Sequence, residues 1–141
     1  EICKGKFSNL SYKEVKFVKP EDKIKVDDIN IESVYAYNTN KQFHPKQGNR
    51  VGYILTINNT RIYHAGDTDL IPEMNNLKNI DIALLPISGT YVMDVNEAVE
   101  AVKIIKPKIA VPMHYGAIIA TRKEAEEFKN LASKYCKIEI L

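Results

Sequence analysis

Two short stretches of the chain carry side chains that bind metal ions in proteins. The first, Y-H-A-G-D-T-D, covers residues 63–69, and the second, V-P-M-H-Y-G, covers residues 111–116. In each stretch a carboxylate or an imidazole follows an apolar, strand-like run where the chain turns into a glycine-containing loop. Because α/β proteins collect their reactive groups at strand ends, Asp67 and His114 are candidate ligands of one metal site.

The histidines do not form a local zinc motif. There are three, His44, His64 and His114, and no two have the spacing of H-x-H or H-E-x-x-H. A metal site must therefore combine residues from distant loops, or use residues that this chain does not contain. His64 lies three residues before Asp67, so strand alternation turns it to the opposite face, and we interpret it as a packing or supporting residue.

The composition is that of one globular domain. The 141 residues are 45% hydrophobic, which is enough for a buried core. With 20 Lys and Arg against 18 Asp and Glu, the net charge of +2 argues against nucleic acid or membrane partners. Cys3 and Cys136 lack the spacing of a disulfide framework, so we expect free thiols. No apolar run is long enough for a membrane span and no signal segment is present, so we predict a cytoplasmic protein.

The first half of the chain has the pattern of an antiparallel β-meander. An apolar-rich run at residues 15–18 precedes an alternation of apolar and polar residues over 24–33. Asn58 and Asn59 separate two further β-rich runs and predict a hairpin, because asparagine tolerates positive φ. Residues 35–50 have no periodicity. A loop of this length in a compact domain is usually functional or disordered, and it contains His44.

The second half alternates strands and helices. The apolar run at 80–87 predicts a strand buried on both faces, and further strands are expected at 109–111 and 137–140. Capping patterns at Asp94 and Thr121 each begin a helix. The order β-α-β-α-β predicts two helices on one face of the sheet. The predicted fold class is therefore α/β, or α+β when the N-terminal meander is counted.

If the strands before Asp67, Ile87 and His114 lie side by side, their polar residues meet at one edge of the sheet. The edge would then hold one carboxylate, one or two imidazoles and the loop at residues 88–91. These are the ligand types of Zn²⁺, Mn²⁺ or Fe.

The motifs at residues 62–68, 84–86 and 111–115 together resemble the C-terminal half of the metallo-β-lactamase superfamily. Within it, the similarity is to uncharacterised metal-dependent hydrolases related to the ascorbate-phosphate lactonase. The resemblance implies half of an αββα sandwich with a dinuclear centre, zinc or else manganese or iron, that activates water for hydrolysis. It implies Asp67 as the bridging carboxylate and His114 as the last histidine ligand, and it assigns the remaining histidine role to His44.

The same resemblance implies that Ser88, Thr90 and Tyr91 face a small-molecule substrate. Phosphodiesters, lactones, thioesters and amides all suit such a centre. The family's H-x-H-x-D-H motif, however, is absent, and the chain begins with Glu1. We therefore expect residues 1–141 to be one domain, the C-terminal part of a longer enzyme, and to be inactive alone. A missing N-terminal segment or a second copy would cover the inner sheet face, for which we predict Val51, Ile54, Ile82 and Leu84.

Two other classes of function remain open. Asp67 and Asp69 form a D-x-D pair like that of haloacid-dehalogenase phosphatases, in which the first aspartate is a nucleophile beside Mg²⁺. The glycine and histidine before it and Ile71 after it depart from that pattern. The more serious alternative is a non-catalytic binding or assembly module, because a chain that keeps the fold with too few ligands can still bind a partner.

Overall fold

A mixed sheet of seven strands forms the centre of the fold. The computed structural model describes residues 15–116 and 119–141. In chain order its strands are β1 (Lys23–Val26), β2 (Ile29–Tyr35), β3 (Val51–Ile57), β4 (Thr60–His64), β5 (Ile82–Pro86), β6 (Ile109–Met113) and β7 (Lys137–Ile138). They lie in the sheet in the same order. The strands from β1 to β4 are antiparallel and those from β4 to β7 are parallel, which confirms the predicted α/β class.

Two helices connect the parallel strands, and each begins with the predicted capping box. They are α1 (Val95–Ile105), between β5 and β6, and α2 (Arg122–Ala132), between β6 and β7. Asp94 accepts the N–H of Glu97 at 2.8 Å, and the Glu97 side chain accepts the N–H of Asp94 at 2.9 Å. Both reciprocal bonds are also present between Thr121 and Glu124. Short 3₁₀ helices at Lys46–Gly48 and Pro72–Asn76 complete the helical elements of the described residues.

The two faces of the sheet differ in how well they are covered. On the face beneath the helices, the largest fully buried side chains include Tyr63, Leu85 and Phe128. The opposite face carries a row of apolar side chains that are only half-buried. Strand register aligns these residues: Leu55, Ile62 and Ile82, with Tyr53 and Leu84 beside them.

One residue predicted for the half-buried face belongs to the covered one. Ile54 is 3% exposed and is paired in register with Tyr63. It lies three residues after Val51 on the same strand, and alternation of side chains along a strand places such a pair on opposite faces. Val51, Ile82 and Leu84 are half-buried, so the prediction fails only for Ile54.

Other sequence predictions hold in part. Asn58 and Asn59 both have left-handed backbone angles, with φ of 47° and 66°, as the hairpin required. Residues 15–18 form no strand, and β7 ends at Ile138, two residues earlier than predicted. Cys136 is a free, half-buried thiol, whereas Cys3 lies outside the described residues. In the part of the chain that the structure describes, no helix has the length and apolar character needed to cross a lipid bilayer.

Candidate metal centre

Asp67 lies between two imidazole rings at the carboxyl end of the parallel strands. His114 Nε2 is 3.0 Å from Asp67 Oδ1, and His44 Nε2 is 3.5 Å from Asp67 Oδ2. Asp67 follows β4 and His114 follows β6, so parallel pairing through β5 brings both to one edge. His44 arrives from the other direction, on the long loop between β2 and β3. The structure thus brings together all three predicted metal ligands.

Two glycines permit the close approach of β3 to the end of β4. A Cβ atom at Gly52 would lie 2.6 Å from the carbonyl oxygen of Ala65, and one at Gly66 would lie 2.9 Å from that of Val51. Gly66 also has a φ of 70°, which side-chain-bearing residues rarely adopt. These contacts fix the turn that presents Asp67.

His114 has a φ of 62°, a left-handed conformation in a residue other than glycine. Such backbone conformations are sparsely populated and occur preferentially at functional sites. His114 begins the loop directly after β6, and this conformation accompanies the contact of its side chain with Asp67. Its side chain is about as exposed as that of Asp67, at 43% and 45%, so the pair lies open to solvent in the described residues.

Hydrogen bonding sets the orientation and the tautomer of His44. Its Nδ1 lies 3.2 Å from the carbonyl oxygen of Tyr91. Because a carbonyl only accepts, a hydrogen bond here is donated by Nδ1–H, and the corresponding neutral tautomer presents an unprotonated Nε2 toward Asp67. Two acceptors at 3.5 Å require a proton or a cation between them. The separation suits a metal, since two ligands of one tetrahedral zinc ion lie roughly 3.4 Å apart.

The donor set fits part of a metal centre. One carboxylate and two imidazoles are zinc-type ligands, and the backbone carbonyl behind His44 is the usual partner of a metal-binding histidine. The two nitrogens approach different oxygens of Asp67 and do not converge on one point. Accordingly, across 15–116 and 119–141 no group of three or more His, Cys, Asp or Glu side chains is arranged so that it could hold a metal ion.

Asp69 is a residue whose importance the sequence analysis missed. Its side chain is fully buried and accepts hydrogen bonds from Lys41 Nζ at 2.6 Å, the Thr39 N–H at 2.8 Å and Asn38 Nδ2 at 3.0 Å. Burial by itself would raise the pKa of the carboxyl group, but these donors, led by Lys41, hold the pKa below its ordinary value. The sequence feature that could have indicated its burial is the position of this aspartate directly before apolar Leu70.

The remaining predicted residues lie around this cluster in different ways. Nδ1 of His64 accepts the N–H of Gly66 at 3.1 Å, so this nitrogen bonds the local backbone. Ser88 is half-buried and Thr90 is exposed. The exposed ring of Tyr91 packs edge-on against Phe43, with ring centroids 4.6 Å apart. The substrate contacts of Ser88, Thr90 and Tyr91 stay predictions.

The sequence is similar to a known protein family and to several curated proteins. The sequence pattern of the β-lactamase superfamily domain matches residues 5–114. A metal-dependent hydrolase of the UPF0173 group from Pyrococcus furiosus is 39% identical over 121 residues, which are 83% of this chain and 54% of the relative. One from Staphylothermus marinus is 43% identical over 106 residues, or 73% of this chain and 46% of the relative. The chain spans about half the length of the curated relatives it matches.

Solved structures give the same picture for the fold. A Parabacteroides distasonis protein classed as a metal-dependent hydrolase superposes with a TM-score of 0.80 at 39% identity, over 90% of this chain and 57% of that one. A metallo hydrolase from Ignicoccus hospitalis has a TM-score of 0.72 at 28% identity, over 88% and 56%. The Bacillus subtilis protein YhfI, described as having a metallo-β-lactamase fold, reaches 0.73 at 13% identity, over 98% and 58%, and this likeness concerns the fold alone.

Proposed function

We propose, from the premise that this chain belongs to the metallo-β-lactamase superfamily, that the protein containing it is a metal-dependent hydrolase. Its centre would include Asp67, His114 and His44. The observation that carries the proposal is the meeting of two imidazole nitrogens with the two oxygens of one carboxylate. The orientation of His44 adds support, since its bare nitrogen faces Asp67. The curated relatives are named metal-dependent hydrolases.

The three side chains would divide the work of holding metal. Asp67 offers one oxygen to each of two positions, which suits a bridging ligand between two ions, and we propose zinc because imidazole and carboxylate suit it. When bound, such an ion lowers the pKa of its water to about 7 and polarises the bond under attack. The Tyr91 carbonyl keeps the proton of His44 on Nδ1. Ser88, Thr90 and the Tyr91 ring would contact the small-molecule substrate.

The proposal requires ligands and covering surface from outside this chain. Two ions need more protein ligands than these three, and the apolar side chains on the face of β3, β4 and β5 opposite the helices are only half-buried. We propose that an N-terminal portion, or a second copy, packs on this face. The cysteine pattern and charge balance lead us to place the protein in the cytoplasm, without nucleic acid or membrane partners.

The decisive experiment measures metal content in the full-length protein that contains this sequence. We expect about two zinc-type ions per protein and hydrolysis of at least one ester, lactone or phosphodiester substrate in a panel. Asp67→Ala and His114→Gln should lose both properties, whereas Asn75→Ala, a change at an exposed residue whose amide donates to Pro72, should lose neither. A metal-free protein in which Asp67→Ala changes nothing would contradict the proposal.

The alternative is a non-catalytic binding or assembly module, and the half-buried apolar face is the observation that favours it. The 141-residue chain alone separates the two ideas. If it is half of a hydrolase, it should bind Zn²⁺ weakly in calorimetry, and light scattering should detect association through the open face. A stable monomer that binds no hydrophobic dye would mean that these residues close their own core, and it would favour the binding module.

A further inference from the structure

The loop that carries His44 has little regular structure of its own. Between β2 and β3 only three of its residues, Lys46–Gly48, form a 3₁₀ turn. On the far side of His44, Lys46 is anchored by an ion pair with Glu73 at 2.7 Å. A metal ligand must nevertheless be held within a fraction of an ångström of its working position. Another group must therefore fix the part of the loop that precedes His44.

Asn38 is that group, and it contacts both parts of the chain that orient the ring. Its Oδ1 accepts the N–H of His44 at 2.9 Å, and its own N–H donates to the His44 carbonyl at 2.7 Å. Its Nδ2 donates to the Tyr91 carbonyl at 2.9 Å. That carbonyl also receives the Nδ1–H of His44. Asn38 thus binds the backbone of the histidine and the acceptor of its ring.

The surroundings determine which way the Asn38 amide faces. Its Nδ2 has two acceptors, the Asp69 carboxylate at 3.0 Å and the Tyr91 carbonyl. Its Oδ1 faces the N–H of His44, which can only donate. An amide turned over would place its oxygen against two acceptors and its nitrogen against a donor. The side chain is 7% exposed, so water would not relieve that mismatch.

Asp69 holds Asn38 in turn. Its buried carboxylate is fixed by Lys41, whose Nζ also lies 3.8 Å from Glu97 at the start of α1. The chain of contacts therefore runs from a helix end through a buried ion pair to the loop histidine.

We infer that Asn38, held by the buried carboxylate of Asp69, is the positioning residue of His44. It sets the place of the imidazole and keeps the proton on Nδ1, so that Nε2 stays available to a metal. The inference rests on the ligand role of His44 proposed above. Neither the resemblance nor the relatives' names assign a role to Asn38.

The test uses the full-length protein and the variant Asn38→Ala, which leaves Asp69 with its contacts to Lys41 and Thr39. Long-range ¹H–¹⁵N spectra of the metal-free protein report which ring nitrogen of His44 carries the proton. We expect a single Nδ1–H form in the parent protein and an averaged mixture of forms in the variant. With zinc as the probe, affinity should fall about 10- to 100-fold.

Controls separate positioning from general damage. Asn75→Ala is the same truncation at an exposed asparagine whose amide donates to Pro72, and it should change neither spectrum nor affinity. If Asn38→Ala does not fold, Asn38→Ser replaces it, because a hydroxyl has a single donor and cannot make both bonds that the Asn38 amide donates. A folded Asn38 variant with the parent tautomer and zinc affinity would overturn the inference.

The result also distinguishes this inference from the proposed function. If His44→Gln binds zinc as tightly as the parent protein, the proposed ligand role of His44 is wrong. The tautomer in Asn38→Ala would still decide the positioning role, because that measurement needs no metal. If His44→Gln loses zinc affinity and Asn38→Ala loses neither affinity nor tautomer, the ligand role stands and the positioning role is wrong.

Discussion

Asp67 and Asp69 stand two residues apart and have opposite surroundings. Asp67 has a side chain 45% exposed and faces two imidazoles. Asp69 is fully buried and is saturated by an ammonium group, a backbone N–H and an amide. The first carboxylate is open to bind something new, and the second has no capacity to spare. Their difference teaches that one short motif can hold both an accessible candidate ligand and a buried residue that supports its surroundings.

The largest expected effect is on stability, from Asp69→Ala. The change removes the hydrogen-bond acceptor of Lys41 and one of the two acceptors of the Asn38 amide, and breaking a buried pair costs about 3–5 kcal/mol. Chemical denaturation should show the loss. Asp67→Ala is the matched control and should stay within about 0.5 kcal/mol. Equal losses in the two variants would remove the distinction between the aspartates.

For metal binding we expect the opposite order, with a larger loss from the change at Asp67 than from the change at Asp69. In the full-length protein, Asp67→Ala should abolish stoichiometric zinc, because the carboxylate between the histidines is the proposed bridge. Asp69→Asn, which keeps the shape and removes the charge, should retain metal with weaker affinity, about 10- to 100-fold. Metal analysis after gel filtration measures both. Full zinc content in Asp67→Ala would show that the histidines bind without it.

A third comparison of the two aspartates is the loss of folding stability at low pH. The pKa of Asp69 is lower in the folded protein than its ordinary value of 3.8, so the unfolded chain takes up the proton more readily. The stability that Asp69 contributes is therefore present above about pH 4 and is lost as the pH falls further. Asp69→Asn should show a shallower acid loss than the parent. Denaturation between pH 2 and pH 5, with Asp67→Asn as the control, tests this, and identical slopes would contradict it.

The smallest effect is expected from His64. Its Nδ1 already accepts the Gly66 N–H, and strand alternation turns it from Asp67. His64→Gln should keep most of the bound metal in the full-length protein, whereas His114→Gln should not. Parallel metal analysis of the two variants decides, and equal loss would mean that the assigned face is wrong.

Features encoded within a few residues were predictable from the sequence. The capping boxes at Asp94 and Thr121 need only residues three positions apart, and the Asn58-Asn59 hairpin needs only two positive-φ residues. The meeting of Asp67 with His114 also followed, since parallel strands place their ends at one edge. The prediction that Ile54 shares a face with Val51 was wrong, and the alternation of side chains along β3 could have prevented this error.

Features that depend on distant contacts were not predictable in the same way. Asn38 and Asp69 are 31 positions apart, and neither residue carries a local pattern that names the other. The register of β2 and β4 and the path of the loop between β2 and β3 decide that they meet. Sequence reasoning therefore predicted the candidate ligands Asp67, His114 and His44, and it did not predict the contacts of Asn38 and Asp69 that hold His44.

The order of the strands has a consequence for synthesis of the protein. Each described strand from β2 onward pairs with the strand made just before it, so the sheet can grow strand by strand as the chain leaves the ribosome. His44 and Asp67 are made before β5, whereas Tyr91, whose carbonyl oxygen lies 3.2 Å from His44 Nδ1, is made after it. His114 follows β6, so the cluster closes only after that strand has docked. A metal ion that arrives earlier meets two of the three side chains.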